Sequence, residues 1–86
     1  MPKSPEYVLE FTSAAREDVR EVVLWYRNEQ EGLEERFLLS LKASADSLVK
    51  NPLIYQVNFQ SIRSLLLKRF PYRIYYFIEE NSIVVL

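Results

Sequence analysis

The chain has no cysteine and no histidine among its 86 residues. Without cysteine there is no disulfide framework, no thiolate metal site and no cysteine nucleophile. Without histidine, the usual acid–base group at neutral pH and the commonest metal ligand are missing. The sequence also has no Asp-x-Asp pair to suggest converging carboxylates. We therefore expect neither a bound metal nor a cofactor.

Long apolar runs are absent as well. No stretch approaches the roughly 20 apolar residues that span a bilayer, and Met1-Pro2-Lys3-Ser4-Pro5 lacks the apolar centre of a signal peptide. The simplest expectation is a cytoplasmic protein with no membrane association. Its length leaves room for one core, so residues 1–86 are expected to form one domain.

The net charge of −1 conceals two regions of opposite sign. Residues 13–36 hold seven acidic and four basic side chains, whereas residues 61–86 hold four basic and two acidic ones. The chain therefore lacks the strong basic excess of a dedicated nucleic-acid binder. A local cationic patch in the second half remains open.

The first half is predicted to be a strand followed by two helices. Residues 7–11 have strand composition, and Thr12-Ser13 is a good helix N-cap. Apolar residues then recur at helical spacing and predict a helix over residues 13–29. They are Ala15, Val19, Val22, Val23 and Tyr26.

A second helix is predicted between Gly32, the only glycine, and Asn51-Pro52, because proline disfavours helical geometry in the preceding residue. Its apolar stripe comprises Leu33, Phe37, Leu38, Leu41, Ala45 and Leu48. Trp25 is expected on the flank of the first helix's stripe, and Trp25 and Tyr26 are expected to pack between the helices and the sheet.

Everything after Pro52 has strand character. Residues 55–60 alternate as a half-buried strand does, and residues 63–70, 72–79 and 83–86 are further strands, with a turn at 80–82. The order is β-α-α-β-β-β-β, an α+β domain whose late strands pair antiparallel and whose helix hairpin covers one sheet face. The final strand is expected to leave an edge that a partner strand or a second copy, as a homodimer, could extend.

Four cations in this second half are the candidate binding residues: Arg63, Lys68, Arg69 and Arg73. By strand alternation Arg73 lies on the face opposite Ile74 and Tyr76, which belong to the core. Arg63 either pairs with a carboxylate inside the domain or meets a partner. The tyrosines are expected to serve packing rather than base stacking.

Several segments together resemble the RelE/ParE family of bacterial toxins, from type II toxin–antitoxin or plasmid-stabilisation modules. They are Ala14-Ala15-Arg16-Glu17-Asp18-Val19, Trp25-Tyr26, Ile62-Arg63, Phe70-Pro71-Tyr72-Arg73-Ile74, Tyr76 and Ile83-Val84-Val85-Leu86. The resemblance covers nearly the whole chain and looks closer to the ParE branch than to the RelE branch.

The resemblance implies a RelE-like fold and a toxin that a cognate antitoxin, ParD-like or RelB-like, neutralises by wrapping an extended segment around it. ParE-like members act on DNA gyrase, and RelE-like members cut messenger RNA on the ribosome. Arg63, Lys68, Arg69 and Arg73 would then contact the target or the antitoxin.

The chain departs from the family pattern at its end, where members commonly continue into a basic tail beyond Leu86. Of the ribonuclease positions only Arg73 matches, as the sole candidate catalytic residue, and Ser64 and Leu66 stand where lysines are usual. Three hypotheses stay open. They are a gyrase-directed toxin that acts by protein binding, a ribosome-dependent endoribonuclease, and a non-toxic member that only binds antitoxin.

Overall fold

The computed structural model describes residues 6–86. Residues 1–5, whose composition predicts the absence of a signal peptide, lie outside the described residues. The elements are β1 (Val8–Phe11), α1 (Ser13–Glu29), α2 (Leu33–Lys50), β2 (Val57–Phe59), β3 (Ile62–Leu66), β4 (Arg73–Glu79) and β5 (Ser82–Val85). This order confirms the predicted α+β fold. Across residues 6–86, none of the helices combines the length and the apolar character that a membrane span requires.

Local sequence signals set both helices. The Thr12 side chain accepts a hydrogen bond from the Ala15 backbone N–H at 3.1 Å, so α1 begins at Ser13 as expected for a threonine N-cap. Gly32 takes a left-handed conformation at φ +83°, which a residue with a β-carbon rarely adopts, and α2 starts directly after it. The helix ends at Lys50, before Asn51-Pro52. The predicted helix boundaries are confirmed.

The strands form one sheet in the order β1-β5-β4-β3-β2. Strand β1 is parallel to β5, and the other three pairs are antiparallel. The expectation that β5 is a free edge is therefore wrong, because β1 lies beside it with Val8 opposite Ser82. The edges of the sheet are β1 and β2.

The core lies between the helix hairpin and one face of the sheet. Four aromatic rings meet at one end of the core: Tyr26, Phe37, Phe70 and Tyr72. The centroid of the Tyr26 ring lies 5.3–6.3 Å from the centroids of the other three rings. Ile74 and Tyr76 of β4 are buried beside them, as alternation predicted. Ile83 and Val85 of β5 are buried there as well. Together with the helix stripes, these side chains form one apolar cluster.

Two predicted packing positions are wrong. Leu38 is exposed although its spacing predicts a place in the α2 stripe. Trp25 is 56% exposed, with its ring edge-on to Tyr26 and 5.3 Å between the two ring centroids. Leu38 lies beside the buried α2 stripe, since Phe37 occupies the inward position. Trp25 lies on the flank of the α1 stripe beside inward Tyr26, as expected, but does not reach the sheet.

Two predicted strands are shorter or more exposed than expected. Strand β2 comprises three residues, all of them exposed, because it is an edge strand with a register irregularity between Val57 and Phe59. Strand β3 ends at Leu66 instead of continuing to residue 70. Arg69 adopts φ +69°, so the chain leaves extended geometry and turns Phe70 into the core.

Candidate functional site: the open face of the sheet

The sheet face opposite the helices has no covering element among residues 6–86, and we call it the open face. Side chains reach it by alternation along the strands, with Leu66 opposite Arg73 and Ser64 opposite Tyr75. Leu66 is 52% exposed and Tyr75 is also exposed. The face therefore offers apolar and aromatic surface to a partner.

Arg73 is held in place on this face by Ser64, which is itself bonded to Asn58. Its guanidinium Nη1 donates to the Ser64 hydroxyl at 3.2 Å, and that hydroxyl in turn donates to the Asn58 side-chain oxygen. Ser64 is only 3% exposed, because the side chains around it shield a small residue. The chain Arg73–Ser64–Asn58 crosses β4, β3 and β2 and fixes one end of the guanidinium while the rest remains exposed.

The structure does not bring the four predicted cations together. Arg73 lies on the open face, whereas Arg63 lies on the helix side of β3, opposite buried Tyr76. Lys68 and Arg69 are exposed in the loop between β3 and β4. The cation-rich segment is thus divided among three different surroundings.

Arg63 is bound inside the domain, although not to a carboxylate. Its Nη1 donates to the Leu53 carbonyl at 3.0 Å and to the Tyr55 carbonyl at 2.7 Å. Within residues 6–86 the ion pairs are Arg27 with Glu34 and Lys42 with Asp46. The expected pairing of Arg63 with a carboxylate is therefore wrong. Backbone carbonyls of the loop before β2 accept the hydrogen bonds of the guanidinium instead.

Lys68 and Arg69 line a groove between α2 and the outer side of β3, together with Arg36 of α2. We call it the α2–β3 groove. Arg73 does not line this groove, so the groove is a second surface, and its charged side chains are all cations.

The tyrosines with shifted pKa values lie in the core rather than on the open face. Burial raises the pKa of Tyr76 to about 12, partly opposed by the nearby Arg63 guanidinium. Burial, with a smaller effect of Tyr72, also raises the pKa of Tyr26. Both shifts favour neutral phenols, which suits packing residues. In the described part of the chain, no cluster of three or more acidic side chains could hold a metal ion.

Ser64 and Asn58 are the residues of this site that sequence reasoning missed. From the sequence, Ser64 is only a replacement for a lysine, and Asn58 is only one polar position in an alternating strand. The available signal was a single hydroxyl directly before the three leucines 65–67, two positions along β3 from Leu66, which lies opposite Arg73.

Comparison with known proteins gives one family match. The family model described as the ParE toxin of the type II toxin–antitoxin system parDE matches residues 9–86. No curated protein matches the chain significantly. The family match covers all five strands apart from Val8, and both helices.

Proposed function

Since the chain belongs to the ParE toxin family of type II toxin–antitoxin systems, we propose that it is a toxin that acts in the cytoplasm by binding a protein. The family implies DNA gyrase as the target and a cognate antitoxin as the neutralising partner. The open face is the surface that we assign to the target.

The composition of the open face carries this proposal. Arginine and tyrosine are the residues most often enriched at the energetic centres of protein interfaces. Here Arg73 and the exposed Tyr75 lie on neighbouring positions of one face, with apolar Leu66 opposite Arg73. When a partner protein binds this surface, it can bury the aromatic and apolar side chains around the Arg73 guanidinium, which Ser64 holds in one orientation.

The charge of the same face favours a protein over RNA. Of the two cations in the five strands, Arg73 lies on the open face and Arg63 does not. Glu79 of β4 and Glu10 of β1 add exposed negative charge to the strands of the sheet. Nucleic-acid interfaces are strongly positive, and metal-free RNA cleavage by groups with pKa values near or above ~10 requires several of them in one place. One guanidinium fits protein binding better.

The direct test is inhibition of DNA supercoiling by purified gyrase. We expect the wild-type chain to inhibit, and Arg73→Ala and Tyr75→Ala each to weaken inhibition about tenfold, the effect of losing roughly 1.4 kcal/mol at an interface centre. Arg16→Ala is the matched control, because Arg16 is an exposed cation on α1. It should inhibit as the wild type does.

Three results would overturn the proposal. Folded wild-type chain that leaves supercoiling unchanged would exclude gyrase as the target. Ribosome-dependent cleavage of messenger RNA that disappears in Arg73→Ala would establish the endoribonuclease instead. Normal growth on expression, with tight binding to the product of an adjacent small reading frame, would identify a non-toxic member that only binds antitoxin.

A further inference from the structure

The edge of the sheet at β2 is an uncharged apolar surface. Residues 51–62 run from the end of α2 through β2 to the start of β3, and we call them the β2 edge segment. They contain no charged side chain, although 27% of the whole chain is charged. Four large apolar side chains of the segment are exposed, with Ile54 and Phe59 the most exposed at 66% each: Leu53, Ile54, Val57 and Phe59.

The other edge of the sheet, at β1, has the opposite character. Glu10 of β1 and Glu6 just before it are both exposed. Charged side chains protect an edge strand, because pairing with another chain would remove them from water. The β2 edge segment lacks this protection. Of the two edges, β2 is therefore the one that is open to pairing.

The exposed apolar side chains lie on a backbone that is fixed to the sheet. The Tyr76 hydroxyl donates to the Pro52 carbonyl at 2.6 Å, and Arg63 donates to the carbonyls of Leu53 and Tyr55 at 3.0 and 2.7 Å. These bonds hold the segment in place while its apolar side chains remain in solvent. A partner that covers such a surface has little conformational freedom left to remove, which favours binding.

Backbone pairing alone would not hold a partner at this edge. Strand β2 has three residues and a register irregularity between Val57 and Phe59, and short or bulged strands pair weakly with a further chain. The rest of the contact must come from the exposed apolar side chains around the strand. The partner therefore has to offer both an extended edge and an uncharged apolar surface.

A second copy of the chain meets both requirements. Nucleic acid, or a highly charged protein segment, would find no ion-pair partner within residues 51–62. Two β2 edge segments related by a twofold axis present the same surface to each other, and the segments themselves bring no charge that must leave water. The net charge of −1 on each chain opposes their approach only weakly.

We infer that two copies of the chain associate through their β2 edge segments, with the two β2 strands antiparallel. The inference goes beyond the proposed function and does not rest on it, because it assigns a self-contact rather than a target. In an antiparallel pair about a twofold axis, the two open faces lie on the same side of the joined sheet. Arg73 and Tyr75 are on β4, two strands away from the contact, and stay exposed.

Sedimentation equilibrium of the full chain is the direct test. Between about 1 μM and about 100 μM, a range that reveals a Kd of micromolar strength, we expect the mass to rise from 10.3 kDa toward twice that value. Val57→Lys and Phe59→Lys should each raise the dimer Kd at least tenfold, because each copy would carry a cation into an apolar contact. Both positions are exposed, so circular dichroism should show an unchanged fold.

Val8→Lys is the matched control. It introduces the same charge in place of an exposed valine on the opposite edge strand, and it should dimerise as the wild type does. Dissociation by Val8→Lys equal to that by Val57→Lys would overturn the inference, since the contact would then not be specific to β2. Amide hydrogen exchange in residues 57–59 should also slow as the wild-type concentration rises.

A charge swap tests whether the two segments face each other. When Phe59→Lys and Phe59→Glu chains are mixed, like charges repel in each homodimer and opposite charges attract in the heterodimer. We expect native mass spectrometry to find heterodimers in clear excess over the half that random pairing gives. Random pairing would overturn the inference.

The remaining outcomes also decide it. A chain that stays monomeric throughout the concentration range, or a dimer that neither edge variant weakens, overturns the inference. So does a monomeric chain whose Val57→Lys variant loses binding to a cognate antitoxin, because the edge then belongs to that partner. Sedimentation needs no target. A monomer that inhibits gyrase would refute the dimer alone, and a dimer that leaves supercoiling unchanged would refute the proposed function alone.

Discussion

Arg63 and Tyr76 lie opposite each other on β3 and β4, and both side chains bind the loop that joins α2 to β2. The Tyr76 hydroxyl donates to the Pro52 carbonyl at 2.6 Å, and Arg63 donates to the Leu53 and Tyr55 carbonyls. Three backbone acceptors within four residues are thus satisfied by two side chains from the sheet. This arrangement fixes the end of the helix hairpin against the strands.

Replacing Arg63 by methionine should therefore reduce stability. The side chain keeps much of its apolar length but loses two hydrogen bonds from a charged donor, and we expect a loss of about 2–3 kcal/mol in the free energy of unfolding. Urea denaturation measures it, with Arg16→Met as an exposed control. An unchanged urea midpoint for Arg63→Met would show that the loop does not depend on this residue.

Tyr76 gives the stability a dependence on alkaline pH. Its pKa is about 12 in the folded state, chiefly through burial, against 10.0 in the unfolded chain. Below pH 10 both states carry the proton, so the contribution is constant. Between pH 10 and 12 the unfolded state releases the proton first, and the free energy of unfolding falls by at most about 1.4 kcal/mol per pH unit.

Tyr76→Phe isolates this effect from other groups that titrate in the same range. The variant should be less stable at pH 7 by roughly 1 kcal/mol, because the Pro52 carbonyl loses its donor. Its stability should then decline less steeply than that of the wild type from pH 10 to 12. Parallel declines in urea titrations of the two proteins would contradict the assignment.

The sequence predicted the helices well because their limits depend on neighbouring residues. Thr12, Gly32 and Pro52 act through local backbone geometry, and each determines a boundary without help from the rest of the chain. The position of β5 could not be predicted in this way. Its parallel pairing with β1 joins residues more than 70 positions apart, and neither strand carries a local signal for it.

The candidate site was predicted only in part for a similar reason. Alternation along β4 placed Arg73 opposite the core, as the structure shows. The same rule failed beyond Leu66, since it assumes an extended chain and Arg69 has a left-handed conformation. The grouping of Lys68 with Arg36 depends on where α2 crosses the loop, which strand alternation does not describe.

Glycine at position 69 should relieve the strain in that loop. Arg69→Gly removes the cost of a β-carbon at φ +69°, whereas Lys68→Gly removes the same charge at a position without a left-handed conformation. We expect Arg69→Gly to be about 1 kcal/mol more stable than Lys68→Gly in thermal or urea unfolding. Equal stabilities would show that the conformation of Arg69 is not strained.

Ser64 should affect target binding through Arg73. Removing its hydroxyl in Ser64→Ala frees the guanidinium from its anchor, and we expect gyrase inhibition to weaken about three- to tenfold while the fold is retained. Ser64→Thr keeps a hydroxyl and should recover part of the inhibition.

A double-mutant cycle separates this positioning role from a general loss of stability. If Ser64 acts only by orienting Arg73, then Ser64→Ala adds nothing in an Arg73→Ala background, and the double variant inhibits as Arg73→Ala does. Inhibition constants for the four proteins, measured at a temperature where all are folded, give the coupling. Fully additive losses would mean that Ser64 contributes to the interface or to stability independently of Arg73.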